Sequence, residues 1–118
     1  MKENDFTDRP KRIELGNYRG HFAILAVSRE SEKAPAPADW GVNLYIPRES
    51  GENVDIARVD TDHSGVHIDR FYLPEGHPDR RQDYSIQYTD PKTAIEREFL
   101  NDGLWKHYID RYIEEHGL

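Results

Sequence analysis

From Arg12 to Tyr88 the apolar positions recur in short runs, most of them with period 2, and from Asp90 onward they recur at helical spacing. Arg12 to Leu15 reads as a first short strand, and Gly16-Asn17-Tyr18-Arg19-Gly20 as the turn after it. His21 to Ser28 is the most apolar run, and its length predicts a central buried strand. Arg29 to Asp39 carries two prolines and three alanines and reads as a solvated loop. In Trp40 to Ile46, Val42, Leu44 and Ile46 point one way while Asn43 and Tyr45 point the other. Pro47 to Asn53 reads as a hairpin turn. The apolar phase of Val54 to Asp60 slips at Ile56 and Ala57, which predicts a bulge or a twist. Val66 to Leu73 and Asp83 to Tyr88 complete the strands.

The C-terminal third is helical. Asp90 suits an N-cap and Pro91 a first helical position. Asn101-Asp102-Gly103 predicts a break, with Asp102 placed to cap a second helix and Gly117 to close it. Trp105, Tyr108, Ile109 and Tyr112 form an apolar stripe that needs covering, by the sheet or by a second copy of the chain. Strands first and helices last predict an α+β fold. It is an antiparallel sheet of five or six strands, with one broken or two short C-terminal helices packed on one face. Residues 1–118 read as one domain, with residues 1–11 a loose N-terminal segment.

Composition narrows the classes. No apolar run is long enough to span a bilayer, and no apolar segment marks a secretory signal at the start. A cytoplasmic protein without membrane association is the default. The chain has no cysteine, which excludes disulfides, thiolate metal sites and cysteine nucleophiles. The net charge of −7 disfavours broad, non-specific nucleic-acid binding but leaves room for a local basic patch.

The candidate chemistry sits in residues 58–70, Arg-Val-Asp-Thr-Asp-His-Ser-Gly-Val-His-Ile-Asp-Arg, which crowd two histidines, three aspartates and two arginines together. Asp62-His63-Ser64-Gly65 is a turn signal between two alternating runs. With that loop, Thr61 pairs with Val66, Asp60 with His67 and Arg58 with Asp69. Arg58, Asp60, His67 and Asp69 then share one face, and Val59 and Ile68 share the other.

Three chemistries fit these residues. The face is a set of cross-strand ion pairs; or imidazole and carboxylate hold a divalent ion, with His63 and His67 as ligands; or His67 beside Asp60 works as an acid–base pair. In the last case Arg58, Asp69 and Arg70 complete the catalytic group. Arg80 and Arg81 hold phosphate, and His63 and Tyr72 bind the substrate. Histidine, arginine and tyrosine together suit metal-independent RNA cleavage. No Gly-rich phosphate loop, nucleophile elbow or H-E-x-x-H sequence occurs.

The stretch from Asp55 to Tyr72 is a strand, an aspartate-rich turn, Gly-x-x-His and a second polar strand. It resembles the TumE-like toxins of prokaryotic type II toxin–antitoxin pairs. Asp60, His63 and His67 match that family's motif, over about a third of the chain. Asp69 stands where the family's His-x-His pattern has a second histidine. The resemblance implies a small toxin or defence protein that acts on RNA and is restrained by an antitoxin protein. The alternative is a non-enzymatic interaction module, a homodimer built on the C-terminal aromatic stripe. A metal-dependent small-molecule enzyme is the third reading.

Overall fold

The computed structural model describes residues 11–29, 40–62, 65–83 and 91–118. Of the predicted loose N-terminus and the proline-containing loop, only Lys11, in the first strand, and Arg29, in the second, are described; the rest of both, His63, Asp90 and most of the predicted strand over Asp83 to Tyr88 lie outside these residues. The fold is α+β, as the pattern predicts. Six strands follow one another in order across one antiparallel sheet: β1 (Lys11–Tyr18), β2 (His21–Arg29), β3 (Trp40–Pro47), β4 (Asn53–Asp62), β5 (Gly65–Arg70) and β6 (Arg81–Asp83). A helical segment closes the chain as α1 (Pro91–Ile95), a wider π turn over Glu96–Leu100, a 3-10 turn at Asn101–Gly103, and α2 (Leu104–His116).

One face of the sheet is apolar because the alternation is nearly unbroken there. Leu25, Leu44 and Val42 on β2 and β3 meet Val59 on β4 and Ile68 on β5, all fully buried. The helical segment covers that face with Ala94, Phe99, Trp105, Tyr108 and Ile109. Trp105 is only 8% exposed and stacks edge-on to Tyr18. Among the stripe residues only Tyr112 is half-buried, so the sheet of the same chain provides the cover. No helix among the described residues is long and apolar enough to cross a membrane.

The predicted phase slip in β4 is a bulge. Leu44 pairs with Ala57 and Tyr45 with Asp55, which leaves Ile56 as the extra residue, and Ile56 and its neighbour Ala57 are both fully buried. Other boundaries moved. β1 does not stop at Leu15 but continues to Tyr18, because the register steps between Glu14 and Gly16. Gly16, with φ 115°, makes that step rather than a turn. The turn itself is Arg19-Gly20, with φ 54° and 84°, the two-residue connection whose twist suits a hairpin. β5 ends at Arg70, not Leu73. There the Phe71 N–H donates to the Ile56 carbonyl at the bulge, and the chain turns away. Asp102 does not cap α2: it has φ 55°, and Gly103, with φ 65°, takes the N-cap position without a side-chain bond. Gly117 closes α2 as predicted, its N–H reaching the Ile113 carbonyl at 2.9 Å.

A candidate acid–base site on the polar sheet face

The β4–β5 register places Arg58 opposite Asp69, Asp60 opposite His67 and Thr61 opposite Val66, as the alternation predicts. Asp62 and Gly65 also pair, so the strands extend one residue further on each side than the predicted loop allows. Cross-strand partners share a face, so the pairings extend into rows. One row runs Ser28, Gly41, Asp60, His67, Asp83 from β2 to β6. The next runs Ala26, Asn43, Arg58, Asp69, Arg81. Arg58, Asp60, His67, Asp69 and Arg81 are thus one group, on the face opposite the helices.

His67 is the centre of that group and only 4% exposed, the one buried polar residue among the described residues. Its Nε2 stands 2.5 Å from Asp60 Oδ1 and 3.9 Å from Asp69 Oδ2. Arg58 Nε lies 3.2 Å from the other Asp60 oxygen. Arg81 Nη2 lies 2.8 Å from His67 Nε2 and 3.1 Å from Nδ1, so the guanidinium lies across the ring. The tautomer that carries its proton on Nε2 leaves Nδ1 as the basic nitrogen. Asp60 Oδ1 is itself buried and lacks an aligned donor despite the close imidazole. Burial raises the Asp60 carboxyl above the ordinary carboxylate range, and the Asp69 charge adds to this; His67, Arg58 and Arg81 pull it the other way. A carboxyl whose burial favours its protonated form, in contact with an imidazole, is placed to pass a proton to or from the ring.

Gly41 is a part of the site that alternation alone did not single out. A Cβ there would stand 3.3 Å from the Asp60 Cβ and 3.5 Å from Arg58 Nη2. The missing side chain lets Asp60 and Arg58 lie close to β3. The available signal was a glycine in a strand interior, which often marks a close approach. Asp83, opposite His67 and exposed, also joins the row.

The remaining sequence candidates do not converge on His67. Arg70 follows Asp69 by one position and points to the other face, where its guanidinium donates to the Asp79 carbonyl and to Gln82 Oε1, each at 2.8 Å. Tyr72 is 3% exposed and lies beneath Arg111, 5.0 Å from guanidinium to ring centre. Arg80 rests over Phe71 at 5.4 Å. His63 lies outside the described residues, so the proposed His63–His67 ligand pair stays an expectation.

Asp60, His67 and Asp69 present ligand atoms within 4.8 Å of one another, a spacing a divalent ion could bridge. Two guanidiniums already occupy the space around those atoms, Arg58 at Asp60 and Arg81 at His67. An ion would have to displace both cations. The donor set therefore fits acid–base work with cationic support better than it fits metal binding.

Residues 8–118 match a family described as a domain of unknown function, DUF7718. The chain belongs to this family. No curated protein and no solved structure matches it. The DUF7718 match spans every strand, the helical segment and the whole polar group around His67.

Proposed function

We propose that this protein is a small toxin-like or defence protein that cleaves RNA without a metal ion, at the polar face of β4, β5 and β6. The observation that carries the reading is the Asp60–His67 contact at 2.5 Å, flanked by Arg58 and Arg81. An imidazole oriented by a carboxylate can act as a general base, and the two guanidiniums are placed for the charge of a phosphorane. The reaction starts with a phosphate drawing Arg81 off the ring and freeing Nδ1. His67 then takes the 2′-hydroxyl proton, and the 2′-oxygen attacks phosphorus. The 5′-oxygen leaves with a proton returned by the imidazolium. The products are a 2′,3′-cyclic phosphate and a 5′-hydroxyl.

In the cell such an activity needs restraint, and an antitoxin protein covering this face is the partner that the resemblance suggests. The test is cleavage of a single-stranded RNA in the presence of a metal chelator, beside the same strand with 2′-deoxy sugars. Cleavage of the first alone, lost in His67→Gln, is the expected result. An intact RNA after incubation with wild-type protein, together with normal growth of cells that express it, would remove the reading.

A further inference from the structure

A second polar feature lies on the opposite side of the β5–β6 edge from His67. It is a cleft of about 390 Å³ between the end of β5, the 74–80 turn and α2. Arg70, Tyr72, His77, Gln82 and Arg111 line it, with Asp79. We infer that this cleft binds a phosphate group.

Arg70 enters the cleft from the end of β5. Both of its bonds go to neutral oxygens, the Asp79 carbonyl and the Gln82 amide, each at 2.8 Å. These bonds hold the planar fork in one orientation, and no carboxylate among the described residues forms an ion pair with it. A pre-oriented guanidinium of this kind matches the geometry of a phosphate. Arg111 enters from α2 and lies over the Tyr72 ring at 5.0 Å. Its carboxylate neighbours are Glu114 and Glu115, each at 3.5 Å and at helical spacing on an exposed face. Exposed pairs of that kind contribute little, so a dianion can displace them.

Tyr72 lines the cleft together with both cations, and Arg111 lies over its ring. Burial raises its hydroxyl pKa, and the charges of Arg70 and Arg111 counter this only in part. The phenol stays protonated at neutral pH and can donate. His77 Nδ1 accepts the Asp79 backbone N–H at 3.0 Å, which puts the proton of the neutral ring on Nε2 and makes that nitrogen a further donor. The carboxylate of Asp79, also in the lining, opposes an anion, as do Glu114 and Glu115 beside Arg111. Against them stand two guanidiniums, a phenol and an imidazole N–H.

The experiment is a titration of the full chain with inorganic phosphate, followed by backbone amide NMR, with sodium chloride at matched ionic strength as control. Saturable shifts at His77, Asp79 and Gln82 are expected, absent in chloride. Arg111→Gln, a change on the outer side of α2, should weaken phosphate about tenfold. Tyr72→Phe should weaken it less, with the fold kept. Shifts that do not saturate, shifts reproduced by chloride, or wild-type affinity in Arg111→Gln would each overturn the inference. Two competitors trace the source of the group. Displacement by phenyl phosphate but not by an oligonucleotide lacking terminal phosphates marks a monoester, and the reverse marks a nucleic-acid backbone.

Discussion

The Tyr18 hydroxyl donates to the Asp110 carboxylate, at 2.9 Å from Oδ2 and 3.0 Å from Oδ1, across 92 positions of sequence. Arg19 Nη1 adds a third contact at 2.9 Å. The first hairpin and α2 are joined at this point. Desolvation, the largest single influence, pushes the Asp110 carboxyl up, but the bonds from Arg19 and Tyr18 and the nearby cationic charge together outweigh it and hold the carboxyl below its ordinary range. Its contribution is therefore present above the ordinary carboxylate range and is lost as pH falls through the lowered value. Asp110→Asn should cost about 0.5–1 kcal/mol at neutral pH, since the group is partly exposed. Thermal melts should show that difference shrinking in acid. A constant difference down to acidic pH would remove the ion pair as its origin.

Asp60 has the opposite sign. Its raised pKa means that the folded state favours the protonated form. That preference helps the fold below the unfolded pKa and is lost as pH rises through the folded value. At neutral pH the ionised carboxylate is thus a burden on stability. Asp60→Asn should melt at the wild-type temperature or above it at neutral pH, and the two curves should converge in acid. RNA cleavage should be lost in the same variant. A large destabilisation at neutral pH would show that the contacts to Arg58 and His67 outweigh desolvation.

His67 is not an exposed polar residue whose removal leaves the fold untouched. It is 4% exposed and contacts Asp60 and Arg81. His67→Ala should cost about 1–3 kcal/mol, because a buried site is emptied and the half-buried Asp60 carboxylate loses its neighbour. His67→Gln, which keeps a hydrogen-bonding side chain, should melt closer to wild type while remaining inactive. Activity retained in the Gln variant would show that the imidazole is not the base.

Trp105→Ala should cost about 3–5 kcal/mol, the range for emptying a large aromatic site in a core. Size-exclusion chromatography should give the same oligomeric state for the variant and the wild type, since Tyr18 of the same chain fills the contact. A change of state without a lower melting temperature would assign the ring to an interface instead.

Gly41→Ala tests the close approach of β3 to the site. The added methyl meets the Asp60 Cβ at 3.3 Å, so Asp60 must move by a few tenths of an ångström. About 1 kcal/mol of stability should be lost, with a larger proportional loss of cleavage. Unchanged cleavage in a well-folded variant would show that the position of Asp60 is not critical.

The site hairpin was legible because two period-2 runs flank a strong turn signal, which left one register for Arg58, Asp60, His67 and Asp69. Arg81 was named from its charge, but its place beside His67 depends on where β6 joins the sheet, and no local pattern carries that. Grouping Arg70 with Asp69 treats neighbours in sequence as neighbours in space, which a strand forbids. β5 read as too long because Phe71 and Leu73 are apolar. They pack from a turn, and burial rather than strand geometry explains their composition. The C-terminal stripe was plain from its spacing. Which surface covers it was not, because the sheet's apolar face has no local signature of its partner.

The order of the strands has a consequence for how the chain folds. Each strand pairs with the strand before it, so every ladder closes only a short loop. The meeting of Tyr18 with Asp110 is different, since it closes most of the chain at once. Short loops close first, because their entropic cost falls before the long one can be met. The sheet should therefore form hairpin by hairpin, with α2 docking on β1 last. Loosening that joint should leave the folding rate nearly unchanged and quicken unfolding. The lifetime of the folded protein is then governed by a contact far from the polar face.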